Sequence, residues 1–266
     1  MGSIPKRQKA LVIPNAFWRS EIHKMKPAKK LYQFHVANLQ EIDRAMEKTA
    51  RSLRMAISQN DENTISAFMR LYALLLGAWA ECRLRKLIYE PHGFNDNERI
   101  AVQAESTQLN QWQKAVEIAI RRQYKIPKAA LTANVLSHSA HSRFITLTEM
   151  LTNDLASIIE LRNKLAHGQW IYPLNNEGDD VAQKQMDALR IENLLSLQFK
   201  KKLIETLSSA INDLVVSKPT FERDFDDHLR VIIETRRNLQ NRDYQIYVES
   251  MRKKYERGKV KKIITI

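Results

Sequence analysis

The residues best suited to chemistry lie in one short stretch, residues 160–168 with the sequence ELRNKLAHG. Asn163 and His167 are four residues apart, so on a helix they share a face, with Glu160 one turn earlier on the same side. Arg162 is offset from Asn163 by about 100°. Arg162 provides a permanent charge whose planar fork matches a phosphate. His167 can transfer a proton near neutral pH, and Asn163 can orient the imidazole or a phosphate oxygen.

These three groups suit the cleavage of RNA, which carries its own nucleophile, the 2′-hydroxyl. The protein would hold the phosphate, move a proton and stabilise developing charge, and for this it needs neither a metal nor a cofactor. His167 falls at the predicted end of its helix, where the helix dipole favours a protonated ring. Gly168 follows, where a C-terminal cap is expected. The sequence therefore predicts Arg162, Asn163 and His167 as catalytic residues.

The chain that must position these residues is predicted to be all-α. It contains only 6 Gly and 7 Pro in 266 residues, and its apolar residues follow the helical period. Residues 126–146 are ambiguous and residues 168–186 form a polar loop. The predicted organisation is a basic N-terminal arm (1–30), a helical bundle (31–216), and a C-terminal helix with a basic tail (217–266) that looks like an appendage. The predicted helices cover about 31–58, 64–89, 99–124, 147–167, 187–216 and 221–257. Asn60, Asp61 and Asn63 are predicted to form the turn and cap between the first two helices. The second helix, apolar in its first half, is predicted to be the buried central helix.

The net charge of +13 lies entirely in the two ends of the chain. Residues 1–30 carry +7 and residues 251–266 carry +6, so the region between them is formally neutral. Such basic ends favour a polyanion such as RNA. Two other interpretations are solvated tails that aid solubility and, less favoured, an anionic membrane surface. The candidate nucleic-acid-binding residues are Lys6, Arg7, Lys9, Lys29, Lys30, Arg252, Lys253 and Lys254.

The pattern Arg162-Asn163-x-x-x-His167, late on a helix of a helical bundle, resembles the motif of the HEPN superfamily. The stretch from Gly77 to Leu84 also resembles the second helix of some members. The resemblance covers roughly residues 31–216. It implies a compact bundle, a homodimer that brings two motifs into one cleft, and metal-independent RNA cleavage that leaves a 2′,3′-cyclic phosphate and a 5′-hydroxyl. Many relatives are bacterial toxins or effectors of abortive infection and anti-phage defence.

Two other functions stay open. Some HEPN members lack activity, so the chain could be a non-catalytic module that dimerises and binds nucleic acid. It could also act as the regulatory partner of another protein. Glu81 and Arg85, four apart on a helix, form either a plain intrahelical ion pair or support for the site. Glu160 is either a surface charge or a carboxylate that orients His167.

Other functional classes are disfavoured by what the sequence lacks. No glycine-rich phosphate loop and no serine nucleophile motif is present. His138 and His141 have no accompanying ligands and are expected to be surface residues rather than a metal site. The lone Cys82 lies in an apolar run, which predicts an inert thiol and fits a cytoplasmic protein. No stretch reads as long and apolar enough to span a bilayer, and no signal peptide is recognisable.

Overall fold

The structure, a computed structural model, describes residues 27–264, and the side chains as far as residue 257. Within that range it is all-α, as predicted, and its only β pairing is an isolated bridge between Leu174 and Val181. Lys6, Arg7 and Lys9 of the basic arm lie outside the described residues. The helices are α1 (Ala28–Gln59), α2 (Glu62–Ile88), α3 (Asp96–Gln103), α4 (Gln108–Gln123), α5 (His138–Met150), α6 (Ala156–Ala166), α7 (Gln183–Ile191), α8 (Leu194–Val216), α9 (Lys218–Asn241) and α10 (Tyr244–Ile264).

Helices α1 and α2 form an antiparallel pair whose turn is built from the residues predicted for it. Asn60 adopts a left-handed conformation (φ 56°), and its N–H donates to carbonyls of the last turn of α1. Asparagine tolerates this conformation better than most residues. The Asp61 carboxylate then accepts from the backbone N–H of Thr64 at 3.1 Å and caps α2. The prediction of turn and capping residues between the first two helices is confirmed.

Helix α2 is the central helix of the bundle, as its apolar first half predicts. It packs against α1, α6 and α8, and Leu76, Trp79 and Leu84 on it are fully buried. The indole nitrogen of Trp79 donates to Asp43 of α1 at 2.8 Å, so this buried polar atom is satisfied. The second half of α2 carries Glu81, Arg83 and Arg85, and therefore brings charged groups to the edge of the core.

The prediction that no stretch reaches the length and apolarity of a membrane span is wrong for α2. Residues Glu62–Ile88 meet both criteria. Length and composition alone are weak grounds for a span, because the core helix of a folded bundle has the same features. The buried side chains of α2 lie in the same apolar cluster as those of α1, α4 and α8.

Three helices predicted as continuous are each broken in two. The helix predicted over 99–124 is α3 and α4, because Thr107 caps a new helix by accepting from Asn110 N–H at 3.1 Å. The helix predicted over 187–216 is α7 and α8, because Asn193 and Ser196 form a reciprocal capping box. The last predicted helix is likewise α9 and α10. Part of the ambiguous segment is also helical, since α5 begins after its Ser137 cap.

The C-terminal part of the chain is not the appendage that the sequence suggested. Helix α9 lies along α8 and buries Phe221, Phe225 and Ile232 in the common core. Its Arg236 forms an ion pair with Asp154, with Nε 3.1 Å from Oδ1. Because α9 contributes core residues, we expect it to fold together with the bundle.

The helix that carries the Arg-Asn-x-x-x-His motif has an irregular start and a well-formed end. Helix α5 continues through one π-helical turn, Leu151–Leu155, into α6. At the other end Gly168, with φ 78°, lets its N–H reach the carbonyl of Leu165 at 3.1 Å, while Gln169 N–H reaches Lys164 at 3.0 Å. This pair of bonds is a Schellman cap. The predicted helix stop at Gly168 is confirmed.

Candidate active site

Arg162 lies on α6 and is held by two side chains. Its Nη2 donates to Oε2 of Glu81 at 2.5 Å, and its Nη1 donates to Oδ1 of Asn163 at 3.0 Å. The other oxygen of Glu81 lies 3.5 Å from Nη2 of Arg85. Glu81 therefore forms the intrahelical pair with Arg85 and also contacts Arg162 from the neighbouring helix.

Gly77 explains how α2 and α6 approach closely enough for the Glu81–Arg162 contact. A Cβ atom at Gly77 would lie 2.3 Å from Cβ of Arg162 and 3.2 Å from the carbonyl oxygen of Ile158. Both neighbours belong to the rigid part of α6 rather than to the end of a flexible side chain. Only glycine fits here without a shift of one helix, so the sequence of α2 determines where Arg162 is placed.

Arg162 lines a cleft of about 480 Å³ between α2, α6 and the start of α4. Thr107, Gln108 and Gln111, from the N-terminal end of α4, line the same cleft. That end carries the positive pole of the helix dipole, which favours an anion. Five of the predicted site residues line this single cleft, namely Glu81, Arg85, Glu160, Arg162 and Asn163.

The charges around Arg162 leave a cationic cluster on the cleft wall. Two guanidinium groups, Arg85 and Arg162, share the single carboxylate of Glu81. The other acid of the cleft, Glu160, has partners of its own on α7, since it accepts from Gln185 at 3.2 Å and lies 3.6 Å from Nζ of Lys184. We therefore expect an incoming phosphate to meet more positive than negative charge at Arg162.

His167 is placed differently from Arg162. It is exposed at the C-terminal end of α6 and is not among the residues that line the cleft. Among the described residues its imidazole has no hydrogen-bond partner, because Asn163 is bonded to Arg162 and Glu160 to α7. The expectation that Asn163 or Glu160 orients the imidazole is therefore wrong for the single chain. Asn163 instead positions the guanidinium of Arg162.

The candidate nucleic-acid-binding residues have different surroundings. Lys29 and Lys30 are exposed in the first turn of α1, and Lys253 and Lys254 are exposed on α10. Arg252 instead holds α10 to the end of α1, since its Nε donates to the carbonyl of Ile57 at 3.4 Å and its guanidinium also bonds Asn60. Arg252 therefore has a role in the fold, which sets it apart from the exposed lysines that follow it.

His138, His141 and Cys82 belong to no metal-binding cluster in the part of the chain that the structure describes. His138 and His141 lie on the first turn of α5, and no cluster of three or more His, Cys, Asp or Glu suited to a metal occurs within the described part of the chain. Cys82 is half-buried. Burial, and after it the carboxylate of Glu81, raises the pKa of its thiol. A raised pKa lowers the thiolate fraction and fits an unreactive cysteine.

Three residues of this site were not predicted from the sequence. Gly77 stood within the stretch that resembles a HEPN helix, but its role depends on which helix packs against it. Thr107 is a typical capping residue and could have predicted that a new helix begins at Gln108, which would have placed Gln108 and Gln111 in its first turn. Comparison with protein-family models, with curated proteins and with solved structures gives no match for this chain.

Proposed function

We propose that this chain is a metal-independent endoribonuclease of the HEPN type. One observation carries the proposal. Glu81 and Asn163 hold the Arg162 guanidinium at 2.5 Å and 3.0 Å, in a cleft that is also lined by the N-terminal end of a helix. Arginine has five donors, so Arg162 keeps N–H groups that can bind the two non-bridging oxygens of a phosphodiester. Such preorganised donors stabilise charge that develops in a transition state.

The proposed reaction needs only proton transfer and charge stabilisation from the protein. The 2′-hydroxyl of RNA attacks the adjacent phosphorus and loses its proton to a base. The bond to the 5′-oxygen breaks, and that oxygen takes up a proton. The products are a 2′,3′-cyclic phosphate and a 5′-hydroxyl. Arg162 stabilises the charge on the phosphoryl oxygens, and His167 serves as the base or the acid.

The position of His167 supports a dimer as the active form. In one chain the imidazole stands outside the cleft of Arg162, and large apolar side chains follow it on the surface. Ile171 is 61% exposed and Tyr172 is 60% exposed. Apolar groups exposed this close to a motif mark an interaction surface. A homodimer through this surface would bring the His167 of each chain toward a shared cleft, and the two imidazoles could then act as acid and base.

The decisive experiment uses purified wild-type, Arg162→Ala and His167→Ala proteins with total RNA in EDTA. We expect the wild type to cleave and leave cyclic phosphate ends, and both variants to lose cleavage while they stay folded and keep the dimer mass of the wild type. Equal cleavage by His167→Ala would show that the proposed assignment is wrong. Ends carrying a 3′-hydroxyl would indicate a different mechanism.

The exposed, unpartnered His167 favours a second candidate, a non-catalytic HEPN-like module that binds RNA through its basic ends. The matched test replaces Lys6, Arg7, Lys9, Lys253 and Lys254 by Gln and leaves the structural Arg252 in place. For the module, RNA binding disappears and the wild type shows no cleavage. For the nuclease, cleavage becomes slower and more sensitive to salt but still depends on Arg162.

As a nuclease the protein would fit a role as a bacterial toxin or anti-phage effector in the cytoplasm, with a regulatory protein partner that restrains it. That role rests on the resemblance to HEPN toxins. Its test is induced expression in a bacterial host, with His167→Ala as the control. Growth arrest by the wild type but not by the variant supports a toxin, and equal growth contradicts it.

A further inference from the structure

One segment beside α6 has little hold on the common core. Residues 174–191, here called the strap, run through an exposed loop and α7 to the start of α8. Met186 is the only buried side chain of the strap, and it lies outside the main apolar cluster. Among the described helices, α7 packs chiefly on α6. A segment with so few buried apolar contacts can open at a low cost in free energy while the rest of the bundle stays folded.

Polar contacts attach the strap to α6 and to the turn that follows it. At the start of the strap, Nζ of Lys164 donates to the carbonyl of Leu174, and the N–H of Leu174 donates to Oε1 of Gln169 at 2.8 Å. Further along, Nε2 of Gln185 donates to Oε2 of Glu160 at 3.2 Å. Water can replace contacts of this kind, so each contributes only modestly to holding the strap in place.

The two charged residues of α6 that hold the strap can also pair with each other. Glu160 and Lys164 are four residues apart with the acid first, which is the favourable order for an ion pair along a helix. In the structure both are engaged by the strap instead. When the strap leaves, each of the two charges finds a partner in the other. The closed and open arrangements are therefore both satisfied, as a two-state element requires.

The closed strap holds negative charge close to the end of α6. Its exposed loop contains Glu177, Asp179 and Asp180, and no Lys or Arg occurs from residue 165 to residue 183. The loop begins at Leu174, whose N–H is bonded to Gln169, two residues after the exposed His167. Three like charges placed there repel a polyanion that approaches this end of the helix.

We propose that the strap is an autoinhibitory element of this protein. In the closed position its acidic loop opposes the approach of RNA to the end of α6, and in the open position it leaves that end accessible. The inference deepens the proposed function and rests on it for the choice of RNA as the ligand. A polyanion that binds the open form more tightly shifts the population toward that form.

The first test measures opening without RNA, by amide hydrogen exchange of the full chain. We expect the amides of α7 to exchange at least about a hundredfold faster than those of α8, because they exchange through local opening. Gln185→Leu removes a bond to α6 and should speed the exchange of α7 about fivefold further, with α8 unchanged.

The matched control for this test is Gln183→Leu, because the side chain of Gln183 bonds Asp187 within α7 at 2.7 Å. Its replacement removes no contact with α6 and should change the exchange of α7 by less than about twofold. Exchange of α7 as slow as that of α8, or an equal response to the two substitutions, would overturn the strap.

The second test locks the strap reversibly and measures RNA binding. Glu160→Cys and Gln185→Cys are combined in a Cys82→Ser chain, bridged with a short bis-methanethiosulfonate reagent, and released with dithiothreitol. A 2′-O-methyl RNA lacks the nucleophile, so binding is read without cleavage. We expect the bridged protein to bind this RNA about fivefold more weakly than the same protein after reduction. Each single-cysteine variant, treated with the same reagent, is the control.

A charge-neutral strap tests whether the acids cause the inhibition. The combined changes Glu177→Gln, Asp179→Asn and Asp180→Asn keep oxygen acceptors but remove the three negative charges. In this background the bridge should alter RNA affinity by less than about twofold. A bridge that weakens binding equally with and without the acids would contradict the electrostatic inhibition.

The outcomes separate this inference from the nuclease proposal. Equal RNA affinity of the bridged and reduced proteins would overturn the autoinhibitory role even if cleavage depends on Arg162. A bridge-dependent affinity in a protein that never cleaves RNA supports the strap and contradicts the nuclease. Thermal unfolding identifies a variant that fails to fold, and the exchange of the wild type, which needs no substitution, then decides whether the strap opens.

Discussion

Within the described residues, the Arg162 cleft can be compared with a second cleft beside α2, because each contains an arginine with different partners. The second, of about 320 Å³, is lined by Arg83 of α2 and by residues of α8 such as Ser208. Arg83 donates to Ser208 at 2.8 Å and to Glu205 at 3.2 Å, and its guanidinium stacks 4.3 Å from the ring of Trp79. Burial lowers the pKa of Arg83.

The difference between the clefts lies in what each arginine joins. Arg83 connects α2 to α8 through the hydroxyl of Ser208 and the carboxylate of Glu205, and it packs on the ring of Trp79 in its own helix. Contacts of this kind stabilise a fold. Arg162 is fixed by a carboxylate and an amide, and the residues that carry them, Glu81 and Asn163, line the same cleft as Arg162. Exposure is similar, 28% for Arg162 and 20% for Arg83, so the two arginines differ in their partners rather than in their accessibility.

The largest effect expected from this comparison is on RNA cleavage. Arg162→Lys keeps the charge but loses the planar fork, so we expect the cleavage rate to fall by about a hundredfold. The matched change Arg83→Lys should alter it by less than about threefold below the melting temperature. The measurement is single-turnover cleavage of a labelled RNA. A comparable decrease of the cleavage rate in the two variants would contradict the assignment of different roles to Arg162 and Arg83.

Gly77→Ala should produce the next largest effect, because it adds a Cβ atom where Arg162 leaves no space. We expect a loss of about 2–3 kcal/mol in the free energy of unfolding, since a rigid helix must shift. Cleavage should fall with it. Gly168→Ala is the control, since its Cβ meets no atom within 4 Å and only the positive φ is penalised, by about 1 kcal/mol. Chemical denaturation measures both, and equal losses would contradict the crowding argument.

The sequence predicted the helical class, the turn at Asn60 and Asp61, and the stop at Gly168, because each follows from local backbone chemistry. It also placed Arg162, Asn163 and Glu160 near one another. It missed the breaks at Thr107 and Asn193, where apolar periodicity continued across a capping residue. The pairing of Arg162 with Glu81 depends on how distant helices pack. This contact joins residues 81 positions apart, beyond the reach of a local pattern.

The two arginines should also differ in their contribution to stability, by a smaller amount. Arg83→Ala removes the donor that Ser208 and Glu205 share between α2 and α8, and we expect a loss of about 2 kcal/mol. Arg162→Ala leaves Glu81 still paired with Arg85, so about 1 kcal/mol is expected. Urea unfolding of both variants measures the difference. A larger loss for Arg162→Ala would mean that it serves the fold more than Arg83 does.

The smallest expected effect concerns His35, which lies near the Arg85 side of the bundle. Burial, and then the charge of Arg85, lowers the pKa of His35, whose ring stacks 5.3 Å from that of Tyr89. Because the imidazole of His35 is protonated more readily in the unfolded chain, its contribution to the free energy of unfolding should be fully present above the ordinary pKa of 6.5. That contribution should decrease as the pH falls below this value. His35→Gln should flatten this part of the pH profile in thermal melts, whereas His138→Gln on the exposed start of α5 should not. An unchanged profile would contradict the assignment.

The π-helical turn before α6 has a consequence for the evolution of the chain. One extra residue in a helix turns everything beyond it by about 100°, so residues 151–155 set the angle at which Arg162 meets Glu81. Deletion of a single residue there would restore a regular helix and turn the guanidinium of Arg162 toward different side chains. An insertion or deletion of one codon at this position would therefore separate Arg162 from Glu81 without removing any residue of the motif.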